Sequence, residues 1–102
     1  MSSRVKRIGR PDGEIFSLGA AGAGDVGVIV RVGGEGELGS LGRTELERRL
    51  LEMGFVEGAR IRVLHEGFIG RDPIAVQLDD MRVALRRREA ADVMVQSLAT
   101  PQ

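Results

Sequence analysis

The chain of 102 residues has no cysteine, no tryptophan, no tyrosine, one histidine and no excess of either charge, with 15 basic against 15 acidic residues. Without cysteine there is no disulfide, no thiolate nucleophile and no cysteine-ligated metal to consider. Three phenylalanines are the whole aromatic complement, so a core must be built from Val, Ile, Leu and Met without large aromatic anchors. A formal net charge of zero gives no electrostatic reason to expect a polyanionic partner. No apolar run reaches the roughly 18–20 residues that span a bilayer, and no apolar signal segment follows the basic residues 1–7. What is present, 42% hydrophobic and 29% charged residues, suits one modest globular domain, expected to be soluble and intracellular.

Residues 1–14 are polar and basic, with Gly9, Pro11 and Gly13, and read as a flexible leader. Ile15-Phe16-Ser17-Leu18 is the first apolar cluster, and the small residues 19–24 form a turn into a strand over residues 26–32. Val26, Val28, Val30 and Val32 share one face of that strand, expected to be the core face. Residues 33–40 are too rich in glycine to be ordered by propensity and read as a long mobile loop. The loop is no phosphate cradle, because it lacks the GxxxxGK[ST] pattern and carries Glu35 and Glu37.

Thr44-Glu45-Leu46-Glu47 has the form of a capping box, which would start a helix with Leu46, Leu50 and Met53 on one face and Leu51 flanking. Gly54 suits the left-handed position just after that helix, and Phe55 would then reach back to Leu50. Glu57-Gly58 is a turn, followed by a strand over residues 59–66 with Ile61 and Val63 inward. Residues 67–72 read as a glycine-bounded loop, and a second strand opens at Pro73 with Ile74, Val76 and Leu78 alternating. Asp79-Asp80 closes a tight turn into a third strand, residues 81–86, with Val83 and Leu85 inward. Residues 87–98 are expected as a closing helix with Ala91, Met94, Val95 and Leu98 on one face, and residues 99–102 as a frayed end. Short strands joined by tight turns and plugged by two helices predict a mainly β fold, a small barrel filling residues 15–98.

The chemistry on offer is thin. His65 is the single borderline-metal ligand, and it would need carboxylates from elsewhere, Asp79 or Asp80 across the sheet, to form a site. Because successive strand residues face opposite ways, adjacent Glu66 is no co-ligand, and a plain strand-end histidine is the favoured reading. Ser, His and Asp occur in no nucleophile motif, and adjacent acids in a hairpin are a turn before they are a catalytic pair, so no enzyme is expected. Arg86-Arg87-Arg88 with Arg82 could meet nucleic-acid phosphates, but stacking aromatics are missing, so a solvated or carboxylate-paired set is favoured. Arg48, Arg49 and Glu52 should lie on the outer side of the first helix with Met53 near its end. With Arg82, Arg86 and Arg87 they make the candidate partner-binding surface. Phe55 could join that surface or the core, with the core favoured.

Three segments in order carry a resemblance: Gly24-Asp25-Val26-Gly27-Val28-Ile29-Val30, Arg49-Leu50-Leu51-Glu52-Met53-Gly54-Phe55-Val56-Glu57-Gly58, and Arg82-Val83-Ala84-Leu85-Arg86-Arg87-Arg88-Glu89-Ala90. Together they resemble the ferrous-iron transport protein A (FeoA) family of small SH3-like barrels, with Leu50, Gly54, Gly58 and Leu85 as the positions of the structural motif. The basic leader and the length of the loop over residues 33–43 depart from that pattern. The resemblance implies a small SH3-like β-barrel, cytoplasmic and non-enzymatic. It would be an accessory or regulator of bacterial ferrous-iron uptake, acting on the FeoB permease and its G-protein domain by protein–protein contact. It implies no cofactor, no nucleic-acid partner and no direct membrane insertion, with self-association through barrel edges open. The alternative it implies is a metal-responsive domain like the C-terminal domain of DtxR-type repressors, taking a divalent transition metal; an RNA-binding barrel ranks below both.

Overall fold

In the computed structural model, residues 10–33 and 41–98 are described, the side chains of 41–44 excepted. The centre of the molecule is a three-stranded meander whose alternation is plain in the sequence: β3 (Arg60–Ile69), β4 (Asp72–Leu78) and β5 (Met81–Leu85). Ile61, Val63, Ile74, Val76, Leu78 and Leu85 point inward and are buried, as period-two alternation requires when one face is covered. Asp79-Asp80 makes the tight β4–β5 turn, with Asp79 at φ +53°. The meander continues into β2 (Val26–Val32), β6 (Val93–Ser97) and β1 (Ile15–Ser17). All neighbours are antiparallel in a six-stranded sheet of order β1-β6-β2-β3-β4-β5.

Helix α1 (Leu41–Met53) crosses from β2 to β3. It begins three residues before Thr44, so Thr44 lies inside the helix and is not its cap; the Thr44 side chain is outside the described residues. Its end follows the local prescription. Gly54 takes φ +109°, its N–H donates to the Leu51 carbonyl at 3.0 Å, and the Phe55 N–H donates to the Leu50 carbonyl at 3.0 Å. That is a Schellman pair, and the accompanying apolar contact is between residues that are both buried, Leu50 and Phe55. Gly58 then turns the chain into β3, its N–H donating to the Ile29 carbonyl at 2.8 Å.

Three expectations are corrected by the tertiary arrangement. The closing helix is only α2 (Arg87–Ala90), after which the chain turns and runs as β6 between β1 and β2. Val93, Val95 and Ser97 are buried and Met94 and Gln96 are not, a period of two where the apolar spacing had read as helical. On β2 the buried residues are Gly27 and Ile29, while Val26, Val28 and Val30 are half-exposed. A Cβ on Gly27 would run into the Gln96 carbonyl, so close packing on β6 selects the parity that valine counting missed. A register shift between Ile29 and Arg31 then restores Val32 to the core side. Residues 67–72 are not a loop: β3 runs to Ile69, β4 starts at Asp72, and Gly70-Arg71 alone form the turn.

Residues 34–40, most of the expected glycine-rich loop, lie outside the described residues, as do 1–9 and 99–102. Within the expected leader, the Gly13 N–H donates to the Ser97 carbonyl and the Ser97 N–H donates to the Glu14 carbonyl, both at 2.8 Å. Arg10 sits 4.1 Å above the Phe16 ring and 3.3 Å from the Asp25 carboxylate.

Candidate partner-binding surface

The residues expected to contact a partner divide between two ends of β5. At one end, α1 finishes against the β4–β5 turn, where the space beside Gly54 is bounded by the Leu78 and Met81 side chains. Exposed Arg82 follows Met81 directly, so it shares this end of the sheet with Met53, which is half-buried against the core. Arg49 and Glu52 are exposed on α1, and Arg48 makes a solvent-facing pair with Glu45 at 3.2 Å, a contact worth little stability. Leu51 on α1, Val56 in the connection after it and Met81 on β5 are exposed apolar residues. Phe55, which could have joined this surface, is fully buried.

Arg86 and Arg87 stand at the other end of β5, roughly 13 Å away for a strand rising about 3.3 Å per residue. Arg86 is exposed, and its N–H donates to the Glu89 carboxylate at 2.9 Å, which fastens the first turn of α2. Arg87 is different in kind. Its Nη1 donates to the Ala21 carbonyl at 2.7 Å and the Gly19 carbonyl at 3.2 Å, its Nε to the Arg71 carbonyl at 2.9 Å, and its Nη2 to Glu66 at 2.9 Å. The Arg87 N–H donates in turn to the Asp72 carboxylate at 2.9 Å. The planar five-donor fork thereby joins the 3₁₀ turn at Leu18–Ala20, the β3–β4 hairpin and α2, a task for which a lysine has no geometry. Glu66 completes the joint by accepting the Ala23 N–H at 2.9 Å.

What this joint holds in place is a hairpin end that sequence reading had passed over. Gly70 and Arg71 have φ +67° and +62°, the paired positive values of a type I′ turn. The strained Arg71 is the residue whose carbonyl Arg87 grips. Beside the turn, Phe68 is 102% and Ile69 85% exposed. Two large apolar side chains between Gly67 and Gly70, with no inward partner in the alternation, were the available signal. Assigning them to a loop hid it.

His65 is exposed on β3 opposite Ala75. Asp79 is tied to Arg60, whose N–H donates to the Asp79 carboxylate at 3.1 Å. Arg60 and His65 are five residues apart on β3, roughly 16 Å, so the sheet does not bring His65 to Asp79 or Asp80. Among the described residues no three His, Asp or Glu side chains gather where they could hold a metal ion. No helix among them is long and apolar enough to cross a membrane.

The sequence signature of the FeoA domain matches residues 16–97. The chain belongs to the FeoA family. Its match to the FeoA/FeoB fusion protein of Porphyromonas gingivalis, an Fe(2+) transport protein A joined to the Fe(2+) transporter FeoB, is 39% identical over 77 residues. That match covers 76% of this chain but only 8% of the fusion protein. The FeoA of Stenotrophomonas maltophilia, solved in complex with zinc and described as a procaryotic SH3-domain protein, is 32% identical and superposes with a TM-score of 0.65 over 78% of this chain and 88% of that one. A manganese-dependent transcriptional repressor is 26% identical, with a TM-score of 0.67 over 86% of this chain and 44% of the repressor. The SH3-like β fold expected from the sequence is thus the fold of this FeoA domain. The fusion relative links the family to ferrous-iron transport.

Proposed function

We propose that this FeoA domain is a cytoplasmic accessory and regulator of a FeoB-type ferrous-iron transporter, acting through direct protein–protein contact. The observation that carries the reading is the fusion of the two proteins in one polypeptide in the P. gingivalis relative. Covalent linkage holds a domain at high effective concentration beside its neighbour, which is useful when the two engage each other. The elements available for contact are the α1 end with Arg49, Glu52 and Arg82, and the β3–β4 hairpin end beyond Arg87. Regulation by docking requires unequal affinity for two states of the transporter, and equal affinity would shift nothing.

The test is binding of the purified chain to the cognate FeoB-type transporter in nanodiscs, with and without a GTP analogue. Micromolar or tighter binding that differs between nucleotide states supports regulation, and equal binding in both leaves docking without regulation. Absence of binding in either state overturns the reading.

The likeness to the manganese-dependent repressor favours a second reading, a metal-responsive domain. Zinc or manganese titration tests it: stoichiometric saturation that weakens with His65→Ala would support it, and no saturable binding would remove it.

A further inference from the structure

We infer that the β3–β4 hairpin end is the transporter-docking element, with Phe68 and Ile69 entering an apolar pocket whose rim carries carboxylates. The inference rests on the reading that this chain binds a FeoB-type transporter. Phe68 and Ile69 are the two most exposed large apolar side chains among the described residues, at 102% and 85%. They are adjacent at the end of β3, where a register shift precedes the Gly70-Arg71 turn. Isolated exposed apolar residues are ordinary, but adjacent aromatic and aliphatic residues beside a two-residue turn present area that water solvates poorly.

The end is also held rigid. The Arg87 fork holds the Arg71 carbonyl and Glu66, and the Arg87 N–H holds the Asp72 carboxylate, so docking has the two side chains to order and little of the turn backbone. Charge selects the partner. Asp72, Glu66 and Glu89 each accept a hydrogen bond within this network or α2, whereas Arg86 and Arg88 are exposed and, among the described residues, carry no ion pair. Arg71 is 73% exposed beside the same turn, with its Nε 3.7 Å from Glu66. A surface of apolar centre and cationic rim complements an apolar pocket bordered by acidic side chains.

Size argues against a second copy as occupant. One aromatic side chain covers about 150–250 Å². A stable interface needs about 800 Å² from each partner, so two such ends meeting fall short. An end of this kind anchors a larger contact instead, and the partner joined to this domain in the fusion relative supplies one.

The experiment measures binding of the full chain to the cognate transporter in nanodiscs, with empty nanodiscs of the same lipid alongside. The variants are Phe68→Ser, Ile69→Ser and the charge reversal Arg86→Glu/Arg88→Glu, each matched to wild type by melting temperature. Expected is wild-type binding to loaded discs only, weakened about tenfold or more by Phe68→Ser and Ile69→Ser. The Arg reversal should slow association and flatten its salt dependence. Wild-type binding unchanged in both serine variants overturns this inference and leaves the proposed function standing. No wild-type binding overturns both. Equal binding to empty discs assigns the end to a lipid surface, and a dimer that dissolves on Phe68→Ser assigns it to a second copy; either result overturns the inference.

Discussion

Strand β4 belongs to two hairpins that face opposite demands. At the Asp79-Asp80 turn one flanking residue belongs to the core: Leu78 is buried, exposed Met81 reaches the α1 end at Gly54 with its tip, and Asp79 secures itself to Arg60. At the Gly70-Arg71 turn the flanking residues Phe68 and Ile69 have no core to enter, and the turn is held by a guanidinium outside the sheet. One hairpin is stabilised by burial and the other by a polar joint. Apolar side chains therefore mean stability at the first turn and contact surface at the second.

The comparison is broken most severely at the buried turn. Leu78→Ala should destabilise the domain by about 3 kcal/mol, the usual cost of deleting a buried leucine side chain, measured by denaturant or thermal unfolding. A loss under about 1 kcal/mol would mean that the site collapses around the deletion. Next comes the polar joint. Arg87→Ala should cost about 2 kcal/mol, since it removes four charged hydrogen bonds and leaves the half-buried Glu66 with one partner fewer. Arg87→Lys should recover little of it. Hydrogen exchange sharpens the point: protection should fall over residues 66–72 and at the Leu18–Ala20 turn, while amides beside Asp79 keep theirs. A uniform loss would show that Arg87 supports the whole sheet and not one hairpin.

Smaller effects follow at the turns. Asp79→Ala should cost about 1 kcal/mol, because alanine loses the bond from the Arg60 N–H and tolerates positive φ poorly. Asp79→Asn should be within about 0.5 kcal/mol of wild type, since asparagine accepts both demands. Phe68→Ser should leave stability within about 0.5 kcal/mol as well, although it removes a larger side chain than Leu78→Ala does. A clear drop for Phe68→Ser in unfolding experiments would show that the hairpin end is packed in solution and not available for contact.

Much of this was legible in the chain. The end of α1, from Leu50 to Phe55, is specified by a glycine, two carbonyls and one apolar contact, all within six residues. The inward faces of β3, β4 and β5 follow from alternation, and the β4–β5 register from the short Asp79-Asp80 turn. Leu50, Gly54, Gly58 and Leu85, which carried the resemblance, meet local constraints of the same kind: the two leucines are buried and the two glycines take positive φ. Of the residues expected to face a partner, Arg48, Arg49, Glu52, Arg82 and Arg86 are exposed, Met53 is half-buried and Arg87 faces an internal joint, while Phe68 and Ile69 had no assigned role.

The amino-acid sequence alone determined the features whose partners lie within a few residues: the Schellman end of α1, the tight turn at Asp79 and the alternating faces of the meander. Only the tertiary structure decided the remainder. Residues 93–97 became a strand because a slot between β1 and β2, some 60 or more residues earlier in the chain, offered backbone hydrogen bonds on both sides. Gly27 faced inward because β6 came too close for any side chain. Arg87 turned into a clasp because four acceptors, spread over residues 19–71, were folded around it. Local propensity has no access to groups that distant, and satisfying buried backbone and charge outweighs the small preferences that a short window can register.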